Sequence, residues 1–244
     1  MWTWFYRLAS PPHVYGLTGR LAPWLFAVAA CAIGYGLIDG LMFAPPDYQQ
    51  GDAFRIIYVH APRAWLSLSV YSVMAVAGAI ALIWRIKIGH AVAAAAAPIG
   101  ASFTLAALVT GSLWGKPMWG TYWAWDPRLT SELILLFLYF GVMSLREAFE
   151  DAGRGDRAAA LLGIVGIVNV PIIHFSVYWW NSLHQGATVA RFGESKMPAS
   201  MLMPLLAMLL GFTCFFVAVL CIRVRAEILN RERLAVWVRE AVST

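Results

Sequence analysis

Long apolar stretches alternate with short polar gaps along most of the chain. Each stretch holds roughly 20 mostly apolar residues, the length that a helix needs to cross the hydrocarbon core of a bilayer. The gaps carry the charges, prolines and glycines that end helices. The pattern predicts an all-α polytopic membrane protein with six transmembrane helices. The predicted spans are 21–43, 63–84, 91–113, 128–147, 158–178 and 201–222.

The composition agrees with a membrane protein. Of the 244 residues, 61% are hydrophobic and 13% are charged, whereas soluble domains are about 25% charged. Such a chain has too little polar surface to cover a soluble globule, so we expect a single integral membrane domain over 1–244. The net charge of +5 would also suit a nucleic-acid partner. The basic residues lie in the gaps between apolar stretches, however, so we expect contact with membrane lipid and no nucleic acid.

The distribution of Lys and Arg predicts the orientation in the membrane. With the N-terminus inside, twelve basic residues fall in inner segments and six in outer loops. Cytoplasmic loops usually carry this excess. Both termini are therefore expected in the cytoplasm, and the basic cytoplasmic tail over 223–244 is expected to lie along the inner leaflet.

Cysteine spacing excludes two classes of redox protein. Cys31, Cys214 and Cys221 all lie in apolar stretches, and the sequence has no CxxC and no CxxCH. The chain is therefore expected to be neither a thiol oxidoreductase nor itself a c-type cytochrome. The first residues also lack the pattern of a cleavable signal peptide, so we expect the first span to serve as the insertion signal.

The predicted outer loop over 114–129 is rich in tryptophan. It reads WGKPMWGTYWAWDPRL and contains Trp114, Trp119, Trp123 and Trp125. An aromatic belt at the membrane interface is one explanation, but a belt scatters its members over many helix ends. Rigid indole faces spaced by glycines would suit a flat hydrophobic ligand. The loop therefore indicates a ligand site on the outer face.

Polar residues around this loop have both structural and functional interpretations. Asp126 followed by Pro127 is typical of a helix start, since Asp caps helix N-termini and Pro suits the first helical position. Arg128 and Arg55 are cations at the same level that could pair with ligand carboxylates. Arg55 is predicted to lie in a short amphipathic helix with Asp52 as its N-cap.

Two of the five histidines lie at the predicted outer face. His60 precedes the second span, and His184 follows the fifth. Two outer histidines flanking a tryptophan cluster indicate a bis-imidazole haem site. A zinc site would need a third or fourth ligand, and no outer cysteine is available to supply it. His174 lies inside the fifth span, where we expect it to be buried and hydrogen-bonded to a neighbouring helix.

The segment WGTYWAWDPRLTSELILLFLY resembles the tryptophan-rich WWD signature of haem-handling membrane proteins. The length, the six spans and the positions of the two outer histidines are similar to those of the CcmC family of the bacterial cytochrome c maturation system. The resemblance covers essentially the whole chain. It implies that haem b is the cargo and that His60 and His184 ligate its iron. The implied haem platform consists of Trp114, Trp119, Trp123, Trp125 and Asp126. The chain departs from many relatives at Tyr122, where Trp is common, and at Pro127.

The resemblance also implies a location and partners. Members of the family bind haem at the periplasmic face of the bacterial inner membrane and pass it to the periplasmic chaperone CcmE. They act with the small membrane protein CcmD and with the ATP-binding cassette complex of CcmA and CcmB. This sequence has no Walker motif, so ATP hydrolysis is expected elsewhere. Whether the chain catalyses covalent attachment of haem to the chaperone or only positions it stays open.

Two other functions stay open from the residues alone. A haem-b electron-transfer subunit usually places its histidine pairs within the membrane, whereas both histidines here lie at the outer edge. A secondary transporter of a small solute would show inverted repeats and broken helices near the midplane. Only Asn169 and Pro171 hint at a broken helix in this chain.

Overall fold

A computed structural model describes residues 9–184 and 197–243, and these residues are almost entirely helical with no β-strand among them. Arg7, Arg191 and Lys196, which enter the charge count above, lie outside the described residues. A π-helical turn (Asp39–Phe43) extends α1, and a 3-10 turn (Asp52–Ile56) precedes α2. The helices are α1 (Pro11–Ile38), α2 (Ile57–Trp84), α3 (Lys87–Trp119), α4 (Pro127–Glu147), α5 (Ala152–Gly166), α6 (Asn169–Trp179), α7 (Ala199–Arg231) and α8 (Val236–Ser243).

Six helical segments in the described part of the chain are long and apolar enough to cross a membrane, which confirms the predicted fold class. Helix α1 and the π-helical turn together form the first segment. The 3-10 turn and α2 form the second, and α5 and α6 form the fifth. Most segments extend beyond the predicted spans, because hydropathy marks only the part of a helix that lies in hydrocarbon. The last one was predicted over 201–222 and covers Ala199–Arg231.

The tryptophan loop is shorter than the predicted 114–129. Helix α3 continues to Trp119, and Gly120 ends it in a left-handed conformation with φ of 77°. Such a φ favours glycine, which has no Cβ to clash. Helix α4 begins at Pro127, so only residues 120–126 connect the two helices. Trp114 and Trp119 are therefore helical residues rather than loop residues.

The segment predicted as a basic tail, 223–244, belongs largely to the helical bundle. Helix α7 continues through its first part, and the basic side chains there bind neighbouring helices. Arg223 donates from Nε to the carbonyl of Ala95 at 3.2 Å. Arg225 donates to the carbonyl of Tyr15 and lies over its ring, 3.7 Å from the centroid. At these residues the predicted tail is therefore a continuation of α7 that packs against neighbouring helices.

An ion-pair network joins α4, α5 and α7 at the end of the bundle away from residues 120–126. Arg146 donates from Nε to Asp156 at 3.1 Å and from Nη2 to Glu227 at 2.8 Å. Arg231 donates to the same two carboxylates. Asp156 is buried, so removing either arginine would leave a buried charge poorly compensated, which is strongly destabilising.

Helix α1 is held to the bundle mainly by α7. At Gly211 of α7, a Cβ would lie 2.9 Å from the backbone nitrogen of Ile33 and 2.7 Å from its Cγ1. Small residues let helices approach closely, and in lipid such close packing drives helix association. Only 17% of the most apolar part of the first span is buried, so its attachment depends on this contact with α7.

Replacing Gly211 with valine should therefore weaken the contact between α1 and α7. The extra methyl groups meet backbone that cannot move cheaply, so we expect a loss of about 1–3 kcal/mol in the free energy of unfolding. Denaturation of the purified protein in detergent measures it. Gly34→Val is the matched control, because a Cβ at Gly34 meets nothing within 4 Å. Equal stability of the two variants would contradict the proposed role of the contact.

Candidate functional site

A cavity of about 610 Å³ lies between α2, α3, α6 and the segment that follows α6. Its size is within the range of about 300–1,000 Å³ that is typical of small-molecule sites. Five residues that were predicted from the sequence line it: His60, Trp114, Trp119, Arg128 and His184. A smaller cavity of about 280 Å³, lined by His90 and Arg146, lies at the ion-pair end and contains none of the predicted residues.

His60 lies in the first turn of α2 rather than in the loop before it. Its Nδ1 is 3.0 Å from Oγ1 of Thr110 on α3. The Thr110 hydroxyl donates its only hydrogen to the carbonyl of Ala106 at 2.7 Å. Its oxygen therefore accepts the Nδ1–H of His60, and Nε2 carries the free lone pair. An imidazole in this tautomer is ready to bind a metal through Nε2.

The His60 ring is enclosed by α3. A Cβ at Gly111 would lie 3.1 Å from Cε1 of His60, so glycine provides the space for the ring. Trp114 packs edge-on against the same ring, with 5.6 Å between centroids. The indole is fixed in turn, because its Nε1 donates to Oε1 of Gln50 at 3.0 Å. These contacts hold the ring in one orientation.

His184 is positioned in a similar way outside any helix. Its Nδ1 lies 3.1 Å from Oδ1 of Asp126, so the carboxylate accepts the Nδ1–H and Nε2 is again free. Trp119 packs edge-on against the ring, with 4.8 Å between centroids. Each histidine thus has an oxygen on Nδ1 and an indole from α3 at its edge. No cluster of three or more His, Cys, Asp or Glu side chains that could hold a metal ion exists among the described residues.

Asp126 connects the start of α4 to the segment after α6. It is the N-cap of α4, as predicted: Oδ1 accepts from the backbone nitrogens of Arg128 at 2.9 Å and Leu129 at 3.4 Å. Oδ2 accepts from Oγ of Ser182 at 2.7 Å and from the backbone nitrogen of Leu183 at 2.8 Å. The capping role and a role at the site therefore exist together in one side chain.

The charges of this pair follow from burial and hydrogen bonding. Burial raises the pKa of the Asp126 carboxyl, but the donors from Ser182 and Leu183 and the neighbouring His184 together bring it below its ordinary value. Burial lowers the pKa of His184 below its ordinary value, and Asp126 only partly offsets this. At neutral pH the pair is an ionised carboxylate and a neutral imidazole. This combination is common behind metal-ligating histidines.

Arg55, which was predicted near the ligand, does not line the cavity. Its guanidinium donates to Oδ1 of Asp52 at 2.9 Å and to the carbonyl of Gly40 at 3.0 Å. The predicted capping by Asp52 is wrong, because Gly51 occupies the N-cap position of the 3-10 turn. The carboxylate of Asp52 pairs with Arg55 instead.

Trp123 and Trp125 lie outside the lining of the cavity. Trp123 packs against the apolar core. Trp125 is 77% exposed and contacts Trp123 edge-on, with 5.6 Å between centroids. The structure therefore divides the predicted tryptophan platform into two cavity residues on α3 and two residues on the connection to α4.

His174 departs most from its prediction. It is exposed on α6 rather than buried, it lines the same cavity as His60 and His184, and no hydrogen-bond partner is found for it among the described residues. Helix α6 begins anew at Asn169 after a break at residues 167–168. Because the break interrupts the helical periodicity, the sequence alone does not show on which face of α6 His174 lies.

The sequence analysis missed Gln50, Thr110 and Ser182, which orient the site residues. All three are uncharged polar residues, which are common in and near the ends of spans, so none of them has a strong sequence signal. The four-residue spacing of Thr110 and Trp114 places them on one helical face. That signal becomes visible only once α3 is known to continue through this region.

Comparison with known proteins assigns the family. The family model described as "CcmC: Heme exporter protein C" matches residues 4–239. The heme exporter protein C of Haemophilus influenzae is 47% identical over 100% of this chain and 99% of that protein. The one from Escherichia coli (strain K12) is 50% identical over 99% and 98%. That of Bradyrhizobium diazoefficiens is 51% identical over 92% and 85%. This chain belongs to the CcmC family.

Proposed function

We propose that this protein binds haem b as cargo in the large cavity and delivers it to the haem chaperone CcmE for c-type cytochrome biogenesis. The observation that carries the proposal is the pairing of His60 and His184 in one cavity. Each has its Nδ1 hydrogen-bonded to an oxygen and its Nε2 free. Two neutral imidazoles in this state suit the two axial positions of a haem iron.

The rest of the cavity suits a porphyrin. Trp114 and Trp119 supply aromatic surface beside the two histidines, and most of the lining is apolar. Arg128 is the cation among the described residues of the lining, and a guanidinium pairs well with the carboxylates that haem carries. A ligand with an apolar body, a metal centre and acidic groups matches all three features.

The location follows from the spans and the charges. Six crossings put both ends of the chain on one side, and the excess of basic residues favours the cytoplasm for that side. The cavity with His60 and His184 then opens at the periplasmic face of the inner membrane. The family resemblance adds CcmD and the CcmA–CcmB complex as partners, and ATP hydrolysis would take place there.

Residues 120–126 are the proposed contact for the chaperone. They include Asp126, they follow Trp119, and they present Trp125, whose ring is largely exposed. Exposed tryptophan is frequent where proteins bind one another. In this arrangement haem held in the cavity would lie next to the surface that the chaperone contacts.

One observation favours a second candidate, a secondary transporter of a small solute. The fifth span is broken between α5 and α6, and transporters often have broken helices near the midplane. A reduced-minus-oxidised optical spectrum of the purified protein separates the two functions. A haem spectrum is expected, and its complete absence would favour the transporter.

Replacing His60 or His184 with alanine tests the axial ligands. Each change removes one iron–nitrogen bond. Loss of a residue that only hydrogen-bonds to a metal ligand lowers metal affinity roughly 10–100-fold, so loss of the ligand itself should lower haem retention by at least as much. Assembly of c-type cytochromes should stop. Added imidazole should partly restore retention by filling the vacated position. Normal haem content and an unchanged spectrum in both variants would exclude the ligand assignment.

Asp126→Asn separates the carboxylate from the helix cap. Asparagine also caps helices when its amide oxygen takes the place of Oδ1, but its amide nitrogen then replaces Oδ2, the oxygen that accepts from Ser182 and Leu183. Haem affinity should fall by about 10–100-fold, as for other partners of metal-bound histidines. Asp151→Asn is the matched control, because Asp151 caps α5 by accepting from Arg154 N at 2.6 Å and contacts no histidine. Equal haem affinity in both variants would leave Asp126 as a cap only.

Trp119→Ala and Trp125→Ala should differ from each other. Truncating a buried aromatic side chain costs about 3–5 kcal/mol, and truncating the half-buried Trp119 should cost less. Because Trp119 lines the cavity, its variant should still retain haem poorly. Trp125→Ala should keep a normal haem spectrum and lose covalent haem on the chaperone, measured by haem-peroxidase staining. Trp24→Ala is the control, because Trp24 is similarly exposed but lies on α1. Wild-type staining in the Trp125 variant would exclude the proposed contact.

A further inference from the structure

We infer that the haem cavity continues into the membrane as a lateral groove between α2 and α6, and that His174 is an intermediate axial ligand for haem that enters along it. This inference rests on the proposed haem function. It adds a route of entry and a third ligand, neither of which is needed to hold haem at His60 and His184.

The cavity extends far down α2. Its lining on this helix includes His60, Ala64, Leu68 and Ser72, which follow one another at one-turn spacing. Ser72 comes twelve residues after His60, which corresponds to about 18 Å along a helix axis. The hydrocarbon core of a bilayer is about 30 Å thick. The groove therefore reaches well below the level of the two proposed ligands.

The opposite wall comes from α6, which contributes Val170 and His174. Helices α2 and α6 contact each other only sparsely, so direct packing does not close the groove between them. Trp65 of α2 belongs to the lining and is 53% exposed. An opening on this side faces the lipid, because both helices belong to membrane-spanning segments.

His174 is the polar group in this groove that lacks a structural explanation. It contacts Phe175 edge-on, with 4.8 Å between ring centroids, and it has no hydrogen-bond partner among the described residues. It lies five residues before Trp179, the end of α6, or about 7.5 Å deeper along the helix. A polar side chain exposed inside a membrane span is costly and usually marks a ligand or ion pathway.

The other polar groups of the groove are satisfied within α2. The hydroxyl of Ser69 donates to the carbonyl of Trp65 at 2.8 Å, and that of Ser72 donates to the carbonyl of Leu68 at 2.9 Å. Such bonds to the preceding turn leave the wall with little demand for polar partners. The groove thus suits a flat apolar molecule with a metal centre better than a polar solute.

The transfer needs only ligand exchange at iron. The imidazole of His174 forms an iron–nitrogen bond as a bound water leaves, and that bond breaks when His60 or His184 takes the same axial position. Each exchange forms one bond to iron and breaks one. The oxidation state of iron does not change, so no electron donor or acceptor is required.

Haem loading from a membrane tests this route. Haem-free protein in nanodiscs of phosphatidylcholine and phosphatidylglycerol is mixed with vesicles of the same lipids that contain haemin, and the bis-histidine spectrum is followed over time. In His174→Leu the final spectrum should equal that of the wild type. The loading rate should fall about tenfold, which corresponds to a barrier higher by about 1.4 kcal/mol. His13→Leu, at an exposed histidine of α1, should load at the wild-type rate.

A second pair of variants tests the groove independently of His174. Ser72→Phe fills its deep end and should also slow loading, whereas Val76→Phe, one turn further along α2 at an exposed position outside the lining, should not. His174→Gln serves as the second variant if leucine prevents folding, since it keeps a polar group of moderate size and loses the strong iron ligand.

Each outcome decides between the parts of the inference. Wild-type loading by both His174→Leu and Ser72→Phe would overturn the route, and wild-type loading by His174→Leu alone would overturn the ligand role. A lost final spectrum in His174→Leu would make His174 a resident ligand instead. If the wild-type protein takes up no haem, the proposed function itself is wrong.

Discussion

The carboxylate of Asp126 is the interaction on which the site depends. It accepts hydrogen bonds from two backbone groups of α4, from Ser182 and Leu183, and from the ring of His184. A buried ionised carboxylate is stable only with such donors. The dependence is mutual, because residues 180–184, the described part of the segment after α6, form no helix or strand that could hold His184 in place. One side chain therefore provides both the start of a helix and the position of His184.

The two histidines are held by different kinds of structure. His60 lies on α2, a helix packed along α3, and needs only Thr110 and Trp114 to fix the rotation of its ring. His184 lies outside the helices, and its position depends on Asp126 and Trp119. Helices hold side chains more rigidly than connecting segments do. The His60 half of the site is therefore set by the fold, and the His184 half by a few hydrogen bonds.

Sequence reasoning identified the spans and five residues of the cavity lining, and its errors have physical causes. Hydropathy gives the hydrocarbon part of each helix, so it could not show that α3 continues through Gly115 and Pro117 to Trp119. Glycine and proline are typical of loops, yet the proline costs the helix a single backbone hydrogen bond. The exposed face of His174 could not be predicted, because the break before Asn169 resets the helical phase. Spacing within one helix is readable from a sequence, whereas phase across a break depends on tertiary packing.

The distribution of stabilising contacts explains how the protein tolerates a large cavity. At the end opposite to residues 120–126, Arg146 and Arg231 bind the same two carboxylates and join three helices. Helix α1 packs along α7, and α2 along α3. Empty space in a core lowers stability. A cavity therefore costs least where the neighbouring helices make few contacts with each other. The sparse contact between α2 and α6 is such a place, and it leaves open the side of the bundle where we propose that haem enters.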